Sequence, residues 1–245
     1  MTAFRIRAIP RSPFSAPRSP SLRLFRVILH VLRPNLKCGT LFHMQLLNSE
    51  SINNAARLLR AGGVVIIPTD TVYGIAAHPA CPTAVTRICT IKGRPTGKPI
   101  ALLAADKKAV INFGATFPQA AQRLADAYWP GALTLVLPCG SVYEGFRVPD
   151  YDMTCRLLLA CGGTLRVTSA NLSGAMPAIS AASALKDVGL DADLVIDGGI
   201  SPGGVASSVV KIDADGTLTV LREGAISAAS IRYTFANGET HARVP

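Results

Sequence analysis

The segment Gly62-Gly63-Val64-Val65-Ile66-Ile67-Pro68 constrains the fold more than any other. Four consecutive β-branched residues between a glycine pair and a proline are too few for a helix and show no polar face. They predict a buried strand of an α/β sheet. A capped helix pattern runs up to it from Ser49, with Ile52, Ala55, Ala56, Leu58 and Leu59 at helical spacing until the glycines stop it.

The alternation continues along the chain. Pro82 opens a helix toward Ile91, residues 100–104 read as a strand, 118–129 as a helix and 132–137 as a strand. Residues 151–163 form a helix pattern closed by glycine, 165–169 and 192–197 read as strands, and 207–213 with 217–222 as a hairpin around Asp215-Gly216. Neither a repeat nor a linker rich in Pro, Gly or Ser divides residues 44–245. One α/β domain of the α+β type with a mixed sheet is the expected architecture.

Residues 1–43 stand apart, with eight Lys/Arg and no acid. Arg23, Arg26, His30 and Arg33 recur at helical spacing opposite Leu, Val and Ile, which resembles an organellar presequence. The preferred reading is an unstructured leader or an upstream start, with Met44 beginning the folded part. Cytoplasmic location is expected, or mitochondrial if residues 1–43 are a presequence. The formal charge of +10 is concentrated in this segment, because the other 17 basic and 15 acidic residues leave only +2. Net charge therefore gives little support to counterion-release binding of nucleic acid. Six scattered cysteines without a CxxC pair or nearby histidine speak against a zinc site and a disulfide framework. No apolar run reaches the length of a membrane span.

Several stretches offer chemistry. Residues 91–100, IKGRPTGKPI, carry Lys92, Arg94 and Lys98 in one loop, and no Asp or Glu occurs from 71 to 105. The order is not that of a P-loop, so any anion held there is held by side chains. A solvated basic loop is the bland alternative, opposed by Gly93, Pro95, Gly97 and Pro99, which restrict the backbone. PTDTVYG (68–74) ends the buried strand and is either a pocket edge or a turn capped by Thr69 or Asp70. TSANLSG (168–174) offers uncharged donors and acceptors, or a helix cap. Arg147 and Arg222 stand at strand ends, either as surface cations or as two-point grips on a carboxylate or phosphate. Trp129-Pro130-Gly131 reads as architecture that aims a strand. GxSxG and HExxH are absent and only His78 is central among four histidines, so catalysis through histidine is poorly supplied.

In order along the chain, GGVVIIPTDTVYGIAA, IKGRPTGKPIAL, WPGALTLVLP, FRVPD, VTSANLSG, SSVV and LREGAI resemble the blocks of the YrdC/TsaC family, threonylcarbamoyl-AMP synthases, from about Arg60 to Ile226. The resemblance implies a YrdC/RibB-like twisted mixed sheet flanked by helices, with a large, positively lined concave cleft. It implies that L-threonine, bicarbonate and ATP, with Mg2+ as counterion, give threonylcarbamoyl-AMP and pyrophosphate. Downstream tRNA threonylcarbamoyl transferase proteins then use the adenylate, and weak tRNA binding is compatible with this. By the same resemblance Lys92, Arg94, Ser169 and Asn171 form a nucleotide-binding tetrad. Lys98 and Arg222 are further ATP contacts, and Thr71, Arg147 and Ser207 hold threonine, with Arg147 on its carboxylate. Asp70 helps to orient the metal, whose other ligands are unknown. SSVV departs from the commoner Ser-Thr pair, and YEGFRVP replaces a small aliphatic run, placing Tyr143 and Phe146 beside the threonine pocket. A non-catalytic relative that binds tRNA or double-stranded RNA is the alternative.

Overall fold

The computed structural model describes residues 44–95 and 97–237; the expectation for residues 1–43 lies outside them. The first half comprises β1 (Met44–Leu46), α1 (Ser49–Arg60), β2 (Val64–Ile67), β3 (Gly74–Ala77), α2 (Pro82–Lys92), β4 (Leu102–Ala104), α3 (Lys107–Asn112) and α4 (Gln119–Tyr128). There follow β5 (Leu133–Cys139), β6 (Val142–Arg147), α5 (Asp152–Ala160), β7 (Thr164–Ser169), α6 (Ala181–Asp187), a 3-10 turn at Gly189–Asp191, β8 (Leu194–Asp197), β9 (Ser208–Ile212), β10 (Leu218–Arg222) and α7 (Ala228–Asn237). The ten strands form one mixed sheet in the order β1-β8-β2-β3-β7-β4-β6-β5-β9-β10. β8 runs parallel to β1 and β2, β4 to β6, and β5 to β9, while the other neighbours are antiparallel.

Local chemistry accounts for the first unit. The Asn48 side chain accepts from Ser51 N at 2.8 Å while Ser51 Oγ accepts from Asn48 N at 3.0 Å, a capping box that satisfies two otherwise orphaned donors. Loss of such a cap costs about 1 kcal/mol. Ile52, Ala55, Ala56 and Leu59 make the buried stripe of α1, and Gly62 reverses the chain in left-handed backbone with φ 85°. All four residues of β2 are buried, as its composition requires.

The helical layers change face midway across the sheet. Around β2, β3, β7 and β8, helices α1 and α5 cover Val65, Ile67, Ala76, Leu165, Leu194 and Ile196. On the same half α2 packs against β2 and β3, and α6 against β8. The switch falls at β4, where Leu102 and Leu103 belong to different clusters. Beyond it α4 and α7 cover the face bearing Leu133, Leu135, Leu137, Phe146, Val210 and Ile212. The intervening positions, Thr134, Val136, Gly145, Arg147 and Val209, line a cavity.

Phe146 corrects one expectation. It is fully buried on the α4 side, edge-on to Phe113 with ring centroids 5.7 Å apart, because successive strand residues point to opposite faces and Arg147 takes the cavity side. Tyr143, four residues before Arg147, does line the cavity. The 118–129 helix, the 132–137 strand and the β9–β10 hairpin stand close to their predicted places, whereas residues 100–101 fall outside β4. Trp129 donates its indole N–H to Leu133 O at 2.7 Å and so directs the entry into β5. β1, β3, β6 and the helices α3, α6 and α7 were not anticipated. Among the described residues no helix is long and apolar enough to cross a membrane.

Candidate active site

The uncovered sheet face bounds a cavity of about 660 Å³, within the size range of small-molecule and cofactor sites. Four cations contribute to its wall: Arg94, Lys98, Arg147 and Arg222. Hydroxyls come from Thr69, Thr71, Thr134, Thr168, Ser169 and Ser207, and no carboxylate is present among the described lining residues. Cations from the 91–100 loop, β6 and β10 therefore share one enclosure. Such a wall favours an elongated anion with several hydrogen-bonding oxygens.

Arg147 is the most deeply set of the four, 6% exposed. Its Nε donates to Gly131 O at 2.9 Å, Nη1 to Thr71 Oγ1 at 2.6 Å and Nη2 to Asp70 Oδ1 at 2.5 Å. A guanidinium carries five N–H donors, so two remain for a ligand. Burial pushes its pKa down and the Asp70 carboxylate works in the opposite direction. Thr69 Oγ1 donates to Val72 O at 2.7 Å, so Thr71 must be the donor across the 3.1 Å contact between the two threonine hydroxyls. Arg147, Thr71 and Thr69 thus form one polarised chain, fully satisfied on the protein side. Gly131 is required at its position because a Cβ would lie 2.7 Å from Tyr128 O.

Lys92 stands behind the cavity rather than in its wall. It is 3% exposed, at the last residue of α2, and its ammonium donates to the carbonyls of Ser169 and, at 2.5 Å, Asn171. Ser173 N returns a bond to Lys92 O at 2.9 Å, so the end of α2 and the 169–173 loop are tied in both directions. Burial, with Arg94 adding to it, lowers the Lys92 pKa to about 8. Asn171 is also buried behind the wall. Its Nδ2 donates to Leu172 O and Ala175 O, both at 2.8 Å, and its Oδ1 has no partner.

Arg94 and Lys98 occupy the opposite, open end. Arg94 donates from Nη2 to Pro99 O at 2.8 Å, closing the loop on itself, while Lys98 is exposed. Arg222 donates to Ser207 O at 2.7 Å, and Ser207 Oγ lies 2.8 Å from Thr134 Oγ1. Of the residues anticipated for the site, Thr71, Arg94, Lys98, Arg147, Ser169, Ser207 and Arg222 line the cavity, while Lys92 and Asn171 support it from behind. Thr69 and Thr134 were missed as site residues. The signal for Thr134 was a lone hydroxyl in the apolar run Ala132-Leu133-Thr134-Leu135, at the alternation that faces away from the core. Among the described residues there is no group of three or more His, Cys, Asp or Glu able to hold a metal ion, and Asp70 is engaged by Arg147.

Comparison with known proteins places this geometry. A family profile covering Sua5, YciO and YrdC, described as "Telomere recombination", matches residues 57–224. The chain is 34% identical over 195 residues to a threonylcarbamoyl-AMP synthase of Bacillus subtilis, covering 75% of this chain and 56% of that protein. It is 30% identical over 236 residues to a threonylcarbamoyl-AMP synthase of Rattus norvegicus, covering 87% of this chain and 79% of that one. The structure of P. abyssi Sua5 complexed with L-threonine superposes with a TM-score of 0.72 at 29% identity, over 81% of this chain and 60% of that chain. The chain thus spans less than two thirds of the Bacillus and P. abyssi proteins. With the profile matching more than half of its residues and the fold superposing on that of a solved relative, the chain belongs to the Sua5/YciO/YrdC family.

Proposed function

We propose that the protein is a threonylcarbamoyl-AMP synthase, a nucleotidyl-transferring enzyme that converts L-threonine, bicarbonate and ATP into L-threonylcarbamoyl-AMP and pyrophosphate. The observation that carries this reading is the cavity wall itself, with four cations, six serine and threonine hydroxyls and no carboxylate among its described residues. The names of the relatives and the threonine bound to the P. abyssi protein support it.

The chemistry asks little covalent work of the protein. The threonine amine adds to bicarbonate and water leaves, giving a carbamate. A carbamate oxygen then attacks the α-phosphorus, the bond to the bridging oxygen breaks, and pyrophosphate departs with the electron pair. The protein's task is to hold two anions together and to stabilise charge growing on phosphate. Arg147, with two free N–H donors and Thr71 beside it, receives the threonine carboxylate, and Ser207 lies across the wall. Arg94, Lys98 and Arg222 receive the triphosphate, with Ser169 as an uncharged donor. Lys92 fixes Ser169 and Asn171 in position. Among the described residues no group of three or more His, Cys, Asp or Glu could hold a metal ion and Asp70 is paired with Arg147, so magnesium would be held chiefly by the nucleotide's own phosphates, where it would offset their charge. The product is passed to proteins that transfer the threonylcarbamoyl group to adenosine in tRNA.

The test is pyrophosphate release by the full chain with magnesium, omitting each substrate in turn. Release should require threonine, bicarbonate and ATP together. Release without threonine, or none with all three present, removes the proposal.

A further inference from the structure

The loop that carries Arg94 and Lys98 returns to the sheet before β4 begins at Leu102. Its last four carbonyls each have a donor. Arg94 donates from Nε to Lys98 O at 3.4 Å and from Nη2 to Pro99 O at 2.8 Å, Arg166 Nη1 donates to Ile100 O at 2.8 Å, and Val167 N donates to Ala101 O at 2.9 Å. Ile100 is the point where the loop's own bonds give way to bonds from β7. The donor comes from the covered side of the sheet, where the Arg166 guanidinium lies 6.0 Å from the centroid of the Phe113 ring. There Arg166 forms a two-point pair with Glu144 of β6, Nη1 to Oε2 at 2.6 Å and Nη2 to Oε1 at 2.7 Å, each side chain 19% exposed. Leu102 of β4 is in register with Arg166 on one side and Phe146 on the other, so the pair crosses behind the start of β4. Neither Arg166 nor Glu144 lines the cavity.

We propose that Arg166 and Glu144 are positioning residues for the basic loop: Glu144 aims the Arg166 guanidinium, Arg166 fixes the Ile100 carbonyl, and this return point sets where Arg94 and Lys98 stand in the cavity wall. The inference rests on the synthase reading, which gives those two cations the triphosphate. Replacing a mostly covered ion pair by apolar residues of similar size is often neutral for stability, so the fold alone does not call for this one. What the pair supplies, and an apolar pair would not, is a donor to a backbone carbonyl outside the strand ladder. Both Nη1 hydrogens are used, one on Glu144 and one on Ile100 O, and the planar fork leaves them little freedom. Lys92 fixes the other end of the loop through the carbonyls of Ser169 and Asn171. A loop tied at both ends holds exposed cations in place without burying them.

The test compares wild type, Glu144→Gln, Arg166→Met and the double variant Glu144→Met with Arg166→Met, all on the full chain, by urea unfolding, hydrogen exchange and pyrophosphate release. The double variant removes both charges. It should keep a urea midpoint near that of wild type, yet raise the KM for ATP about ten-fold and leave the KM for threonine unchanged. Without nucleotide, its amides in residues 97–101 should exchange about ten-fold faster while those of α1 exchange as in wild type. Arg166→Met should show the same shift for ATP with a lower urea midpoint. Glu144→Gln, which keeps an acceptor for Arg166, should stay within about three-fold of wild type in both the KM for ATP and the exchange rate. Unchanged exchange in residues 97–101, or equal losses for ATP and threonine, overturns the positioning role and leaves the synthase reading in place. A wild type that releases no pyrophosphate overturns the synthase reading, and the exchange comparison then decides the anchor by itself.

Discussion

At one end of the cavity Arg147 is buried and bonded to Gly131, Thr71 and Asp70; at the other Lys98 is exposed and Arg94 bonds to the carbonyl of Pro99 in its own loop. The difference concerns when the work of ordering is done. A buried guanidinium is tolerable only because its partners are built in, so that end is finished before any ligand arrives. The open loop carries charge in a high-dielectric setting, where each cation gains less from an anion and is more easily replaced. Under the proposed function, the first end receives the small carboxylate and the second the flexible polyphosphate.

Breaking the finished end should have the largest effect. Arg147→Met is expected to abolish threonine-dependent pyrophosphate release and to lower stability in urea by about 3 kcal/mol, because the mostly covered Asp70 carboxylate is left without its partner. Adding Asp70→Asn should restore part of the stability and none of the turnover. Recovery of turnover in the double variant would show that Arg147 serves only the fold.

Lys92→Met ranks second, with ATP use reduced about ten- to a thousand-fold and stability lowered by ~1–3 kcal/mol for the loss of the Asn171 carbonyl's donor, since Ser169 O keeps the bond from Asn171 N. The pH dependence adds a sign. The folded pKa of about 8 lies below the ordinary lysine value of 10.5, so the unfolded chain binds more protons between these limits. The stability of wild type relative to Lys92→Met should therefore rise as pH climbs from about 8 toward 10.5. A flat difference in urea midpoints across that window would contradict the buried ammonium.

Arg94→Ala should weaken ATP use at least ten-fold while leaving the urea midpoint nearly unchanged, since its partners are partly exposed loop carbonyls. Lys98→Ala should be the mildest, a few-fold rise in the KM for ATP that fades at high salt. If Lys98→Ala proved as damaging as Arg147→Met, the contrast between a finished end and an open one would fail.

What the sequence disclosed followed hydrophobic periodicity. β2, β5, β7 and β9 are apolar runs with clear punctuation, and α1 announces itself by cap and stripe. β3, Gly-Ile-Ala-Ala, escaped because glycine and alanine have weak strand preference and its pairing is long-range. β6 escaped because one of its faces is the site, so Tyr143, Gly145 and Arg147 replace the apolar residues that would have marked it. Of the candidate site, the spaced motifs disclosed the cavity wall, which Thr71, Arg94, Lys98, Arg147, Ser169, Ser207 and Arg222 share. Motif order does not reveal depth, however. Lys92 and Arg94 are two residues apart, yet the last turn of α2 sends one ammonium inward to carbonyls and leaves the other cation on the loop.

The two sides of β6 separate heritable traits that are usually entangled. Residues 143 and 145 line the cavity, whereas 146 answers to the hydrophobic interior behind. Gly145 is the narrow point, since even a methyl group there would come within 3.3 Å of Ala101 Cβ. An exchange at the half-exposed position 143 would therefore reshape the cavity with little penalty in thermal robustness, whereas one at 145 would have to displace Ala101.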